Sequence, residues 1–156
     1  MMTDKQLIWL AMLGSVGLLL GAFAFQYIGG MYPCTLCIWQ RWPHAAAVVI
    51  GVMALASGLR VLPYLGAAAA LVSAGLALFH TGVERAWWDG LASCSGNSIA
   101  GLSMDQMLNP SVIIAAPVRC DAVAWEMFGL SMASWNGLLS IGLVLVWLAA
   151  ARRQAA

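Results

Sequence analysis

Cysteine carries the most evident chemistry in this chain, and there are four of them. Two frame the unit Cys34-Thr35-Leu36-Cys37, which follows Pro33. A disulfide across so short a separation closes a very small ring and staples almost nothing, because loop-closure gains grow with loop length. The same pair at the start of a helix can do redox chemistry. Unpaired N–H groups and the positive end of the helix stabilise a thiolate there, and the thiolate is the form that attacks disulfides. Ile38, not histidine, follows Cys37, so covalent haem attachment is not expected. A zinc site needs further soft ligands. Cys94 and Cys120 are the residues that could supply them, but the reading favoured is redox, with no metal.

Cys34, Cys37, Arg41 and His44 are spaced i, i+3, i+7 and i+10, which places them on one face of a helix. Arg41 stands one turn below Cys37, where a guanidinium can stabilise a thiolate and donate to a ligand carbonyl; its alternative is an arginine snorkelling to headgroups. Pro43 removes the usual partner of the Trp39 carbonyl and favours a kink. Trp39 and Trp42 read first as interfacial belt residues and second as walls of a flat pocket. His80 sits where it can join the same pocket and handle a proton, or be an ordinary packed histidine. Cys94 and Cys120 are ambiguous by spacing: their bond would close a loop of about 27 residues, worth about 3 kcal/mol as a plain staple. Cys94-Ser95-Gly96 follows Trp87-Trp88 and Gly90 in a polar stretch, which favours access by a partner protein.

The elements that must position these residues are written in the composition. Of 156 residues, 63% are hydrophobic and 8% are charged. Soluble domains carry about 25% charged residues, so lipid is the expected solvent. The net charge of +1 argues against a nucleic-acid partner, which needs a dense basic patch. Four apolar stretches, about residues 7–28, 38–59, 63–82 and 131–151, are long enough to cross a bilayer core of about 30 Å. The expected fold is all-α: a single integral membrane domain built as a four-transmembrane-helix bundle. Its outer loops would cover about residues 29–37 and 83–130. Ser103 and Gln106 suit a capping box, and Met104, Met107, Leu108 and Val112 recur at helical spacing, so the long loop is expected to carry a short surface helix.

Lys5, Arg60, Arg152 and Arg153 fall on one side, and Arg41, Arg85 and Arg119 on the other. The positive-inside rule then puts both termini in the cytoplasm and all four cysteines outside. Lys5 and Ala22-Phe23-Ala24 are also features of a cleavable signal peptide, but the apolar run continues past the small residues, so the first stretch is expected to remain a span. Even-numbered cysteines in an oxidising space read as disulfides.

Pro33-Cys34-Thr35-Leu36-Cys37 followed by Gln40-Arg41 resembles the signature of the bacterial disulfide bond formation protein B (DsbB) family. His80, Cys94, and Cys120 followed by Trp125-Glu126-x-Phe128-Gly129 extend the resemblance over nearly the whole chain. It implies an inner-membrane enzyme whose cysteines face the periplasm. Cys34 and Cys37 would be the quinone-linked pair, Arg41 a quinone contact, and His80 a neighbour of the quinone, either ubiquinone or menaquinone. Cys94 would be the cysteine attacked by a soluble thioredoxin-like partner resembling DsbA, and Cys120 its disulfide mate. Two other four-span plans compare less well. A tetraspanin-like scaffold carries Cys-Cys-Gly where this chain has Cys94-Ser95-Gly96, and a vitamin K epoxide reductase-like protein places its Cys-x-x-Cys late in the chain.

Overall fold

The computed structural model describes residues 2–91 and 118–155. Four long helices dominate them: α1 (Asp4–Tyr27), α2 (Thr35–Ser57), α3 (Leu62–Glu84) and α4 (Met132–Ala155). Each packs against two others, α1 on α2 and α4, and α3 on α2 and α4, so the helices stand at the corners of an up-and-down bundle. Arg153 donates to the carbonyl of Met2, which ties the two ends of the chain together on one side.

Local chemistry explains the ends. Thr3 and Gln6 form a reciprocal capping box on α1. α1 then runs unbroken through Ala22, Phe23 and Ala24. Gly58, at φ +67°, takes the left-handed conformation that ends α2. Pro63 stands in the first turn of α3, where its missing N–H costs nothing. At the far end of α3 the N–H of Trp87 reaches the carbonyl of Gly82, and that of Ala86 reaches Val83. This double closure puts Ala86 at φ +54°, a position glycine usually holds.

α1, α3 and α4 are each long and apolar enough to cross a membrane. α2, at 23 residues, is long enough but falls short in apolarity. The expectation of four strongly apolar spans is therefore met by three. The physical reason is the N-terminal half of α2, where Gln40, Arg41, Pro43 and His44 interrupt the apolar run. Pro43 is accommodated within a continuous helix. The expected surface helix at residues 103–112, and Cys94 with it, lie outside the described residues.

Outward positions are large and apolar: Leu13, Leu20, Val52, Leu71, Leu78 and Leu145 are all exposed, as a lipid-facing surface requires. Inside, the bundle is layered. Near the chain ends, Ile8, Ala11, Ala54, Ala67, Ala70, Ala150 and Trp147 form a core in which small residues let backbones approach. At the opposite end Cys34, Leu36, Val83 and Cys120 form a second buried cluster. Between them lies a polar layer of Gln40, His44, Ser73 and Ser140, all buried.

A two-residue hairpin precedes α4. Strands β1 (Glu126–Met127) and β2 (Leu130–Ser131) pair antiparallel, with Glu126 opposite Ser131 and Met127 opposite Leu130. Phe128 and Gly129 both have positive φ, as a primed turn demands. The hairpin sets Trp125 against the Phe25 ring of α1, with centroids 5.2 Å apart, and so closes one wall over the bundle.

The close approach of α3 and α4 yields a test. A Cβ on Gly66 would come within 2.6 Å of the buried Trp147 ring, whereas one on Gly75 would meet nothing within 4 Å. Gly66→Ala should destabilise the protein in detergent by about 1–3 kcal/mol, and Gly75→Ala should be neutral or slightly stabilising. Thermal unfolding followed by circular dichroism reads both; equal midpoints would mean that the two helices do not pack as described.

Candidate functional site

The site begins where α2 begins. Cys34 is the N-cap, and its sulfur accepts the backbone N–H of Cys37 at 3.2 Å. The two sulfurs are 2.8 Å apart, with the Cys34 thiol donating to Cys37, and both cysteines are in the dithiol form. That hydrogen bond couples their acidities. Donation by Cys34 stabilises the Cys37 thiolate and pulls its thiol down to about 7, helped by the nearby Arg41, while the same bond and burial push Cys34 well above the ordinary thiol range. The pair therefore gives up its first proton easily and its second with difficulty. Cys34 is buried and Cys37 half-buried, so the more acidic sulfur is also the more accessible one.

His80, near the end of α3, meets this pair. Its Nε2 lies 3.6 Å from the Cys34 sulfur, and its Nδ1 lies 2.9 Å from the carboxamide nitrogen of Gln40. The orientation of Gln40 is set from three directions. Its nitrogen donates to the Leu36 carbonyl and to His80, and its oxygen accepts from Asn136 at 2.7 Å. Because Nδ1 accepts, a neutral His80 carries its proton on Nε2, facing Cys34. The chain of contacts continues inward. Asn136 Oδ1 is 3.0 Å from His44 Nε2, which is 2.9 Å from the Ser73 hydroxyl, and Ser140 donates to Ser73. α2, α3 and α4 are thus joined by one polar seam in the middle of an apolar bundle.

Arg41 points between α1 and α2. It donates to Gln26 Oε1 at 2.6 Å and to the Ala22 carbonyl, and its guanidinium lies over the Phe23 ring at 5.0 Å. These partners are neutral, so the cation is held in place without being neutralised. Its Nε is buried and has no partner among the described residues. The arginine is therefore anchored in the bundle and does not extend freely to headgroups.

Cys37, Arg41, His80, Gln40 and Asn136 all line a cavity of about 350 Å³. Its remaining wall is mainly apolar and includes Leu18, Phe25, Trp125, Trp135 and Leu139. The space lies between α1 and α4 and suits a flat ring of moderate size. Trp39 and Trp42 take no part in it and are exposed on the outside of α2, as belt residues. The tryptophans that do line it, Trp125 and Trp135, carry no helical spacing relationship to Cys37, so sequence alone gave no means to find them.

Cys120 is disulfide-bonded and fully buried. It packs in the same cluster as Cys34, and its backbone faces the His80 ring. Cys94, its expected mate, lies outside the described residues. Of the six expected site residues, Cys34, Cys37, Arg41 and His80 therefore share one cavity and Cys120 abuts it. Gln40, Asn136, Ser73 and Glu84 complete the site and went unassigned in the sequence.

The arrangement can exchange disulfides at one end and reduce a flat apolar oxidant at the other. Comparison with known proteins supports the disulfide chemistry. No solved structure matches the chain significantly. The chain is 32% identical to disulfide bond formation protein B of Xanthomonas axonopodis pv. citri over 146 residues, covering 87% of this chain and 83% of that one. It is 31% identical to the protein of the same name from Dechloromonas aromatica, covering 85% and 82%. It is 27% identical to that of Hahella chejuensis, covering 94% and 92%. The family model described as disulfide bond formation protein DsbB matches residues 4–150, nearly the whole length. With a paired thiol at a helix mouth and a family match that reaches all four helices, the chain belongs to the DsbB family of membrane disulfide oxidoreductases.

Proposed function

We propose that this chain is a single four-span domain of the bacterial inner membrane, with both termini in the cytoplasm. In this reading it reoxidises a soluble periplasmic DsbA-like dithiol protein and delivers the electron pair to a membrane quinone. The observation that carries the reading is the meeting of the Cys34–Cys37 dithiol, His80 and an un-neutralised Arg41 on one apolar cavity. Family membership supports the same activity. A fourth crossing by α2 is supported by its length and by the way its polar Gln40 and His44 turn into the bundle while Val49 and Val52 face out.

The cavity suits a quinone. Its wall is mainly apolar, and the buried Arg41 Nε has a hydrogen bond still to give. A quinone bound there supplies an acceptor for two electrons and two protons. The protein's own steps follow from its sulfurs. The partner's thiolate attacks Cys94 of the Cys94–Cys120 disulfide, releasing Cys120, and the partner's second thiol resolves the mixed disulfide. Cys120 then attacks Cys34 in the oxidised Cys34–Cys37 pair. Cys37 leaves as thiolate, with the Arg41 cation one turn away to stabilise it. Cys94 resolves the Cys34–Cys120 bond, which restores the loop disulfide and leaves the dithiol of Cys34 and Cys37. The electron pair of that dithiol leaves through Cys37, the less buried and more acidic of the two sulfurs on the cavity. Arg41 holds the negative charge that develops opposite it, and Nε2–H of His80 donates a proton. A membrane scaffold, the other four-span reading, leaves the dithiol and its histidine without a purpose.

Three outcomes are expected. With purified protein, a reduced thioredoxin-like partner and a soluble quinone, Cys34→Ser should abolish quinone reduction followed by absorbance; full retention would refute the electron path. Arg41→Leu should raise the quinone KM by about ten- to a hundredfold, the worth of a lost charge-assisted hydrogen bond, and an unchanged KM would remove Arg41 from the site. Alkylation of Cys37 in the dithiol form should rise with pH around a midpoint near 7, because the thiolate is the reactive species. In Cys34→Ala, where the stabilising donor is gone, the midpoint should move up toward that of an ordinary thiol; an unmoved midpoint would mean the sulfur–sulfur bond does not set the acidity.

A further inference from the structure

One side chain at the site has no part in the chemistry above. Glu84, the last residue of α3, lies one helical turn beyond His80, and its Oε1 is 3.8 Å from His80 Nε2. The side chains of His80 and Glu84 are 5% and 6% exposed. Glu84 lines the same cavity, and its Oε2 is buried with no hydrogen-bond partner among the described residues. Ser131 and the Arg85 cation also act on this carboxyl, but a buried oxygen with no hydrogen bond of its own is costly unless a further donor or cation meets it.

The neighbouring atoms indicate what that could be. The sulfurs of Cys34 and Cys37 and Nε2 of His80 all lie within 4.8 Å of one another. Two thiolates, an imidazole and a carboxylate are a donor set for a tetrahedral, borderline-soft cation. Zinc bond lengths of about 2.3 Å to sulfur and about 2.0–2.1 Å to nitrogen or oxygen place tetrahedral donors about 3.3–3.8 Å apart. The Cys34–His80 separation of 3.6 Å already matches. The sulfurs, 2.8 Å apart, must part by about 1 Å. Glu84, 3.8 Å from His80 but beyond the 4.8 Å that joins the other three donors, must swing in by more than about 1 Å to complete the tetrahedron. We propose that the dithiol form of this chain binds a divalent zinc-like cation through Cys34, Cys37, His80 and Glu84, and that the metal-bound form cannot pass electrons to a quinone.

Proton balance adds a consequence. Coordination releases the thiol protons and takes Nε2 of His80 as a lone-pair donor, so the imidazole proton moves to Nδ1. Gln40 must then present its oxygen to Nδ1, and Asn136 must turn with it to keep that contact paired. The cost includes the Gln40 hydrogen bond to the Leu36 carbonyl, which favours the metal-free orientation when no cation is present. The disulfide form offers no thiolate, so binding is specific to the reduced state. Only the inhibitory half of this proposal rests on the quinone reading; binding itself does not.

The test uses the full-length protein in detergent, reduced without air by a phosphine, and titrated with cobalt(II). One equivalent should give the visible bands of tetrahedral cobalt and a thiolate charge-transfer band, displaced by zinc. Protein in the disulfide form should give neither. His80→Ala and Glu84→Gln should each shift the visible bands and weaken zinc binding at least about tenfold, with circular dichroism confirming that both remain folded. Absence of saturable binding to the reduced protein overturns the site. Unchanged spectra and affinity in both variants reduce it to a simple dithiol chelate and overturn it equally. One equivalent of zinc should stop quinone reduction, and a chelator should restore it; turnover that continues with metal bound overturns the inhibitory half. A metal-free sample that binds cobalt as expected but never reduces quinone would instead count against the quinone reading and leave the metal site standing.

Discussion

Lipid offers a buried polar group nothing to bond with, and that constraint organises this molecule. A polar side chain inside the bundle is best satisfied by a partner on another helix. Gln40 from α2, His80 and Ser73 from α3, and Asn136 and Ser140 from α4 do so in one connected seam. The seam joins three helices and also fixes a protonation state. With both amide ends of Gln40 committed, His80 has one neutral tautomer, and its proton faces the sulfur of Cys34. A group that would be a liability at membrane depth thereby becomes the device that aims the site.

The electrostatics of the dithiol follow from its place at a helix start. Cys34 caps α2 through its sulfur, so the chain's turn into the helix and the pairing of the thiols are one structural event. Arg41 adds a positive charge one turn on. Its ligands, a carboxamide, a backbone carbonyl and an aromatic face, orient it without a counter-ion. A carboxylate in that position would neutralise the guanidinium and weaken its pull on a developing oxyanion. A buried acid near the dithiol, Glu84, instead stands beside His80 at the C-terminal end of α3.

How much of this was legible depends on whether a feature is local. The apolar runs announced α1, α3 and α4, because hydrophobic length is a property of contiguous residues. α2 was legible as a helix but less so as a span, since its polar residues face a partner that the sequence does not show. The shared face of Cys34, Cys37 and Arg41 follows from helical spacing, and the position of His80 near the outer end of its helix follows from counting. Asn136, Ser73 and Glu84 were invisible as site residues because their roles exist only across helices; an asparagine and two small or acidic residues in apolar surroundings were the available signal. The hairpin before α4 turns on Phe128-Gly129, and phenylalanine is a poor advertisement for a left-handed residue, so the turn chemistry that usually marks a hairpin was lacking. Trp39 and Trp42 could be read as wall or belt, and only packing decided for belt.

Burial also gives the proposed electron path its direction. Both sulfurs border the cavity, but Cys34 is 4% exposed and packed in one cluster with Cys120, whereas Cys37 is only half-buried. A soluble thiol cannot easily reach Cys34, but Cys120 already shares its cluster. A membrane-borne oxidant in the cavity meets Cys37 first. In the dithiol form the hydrogen bond between the two sulfurs makes Cys37, the less buried one, the better thiolate. Reversing the two positions would leave the buried, hard-to-ionise sulfur to meet the oxidant, which would slow the step at the cavity. The order of the two cysteines at the mouth of α2 is thus a mechanistic constraint, set by which residue caps the helix and which lies a turn inside it.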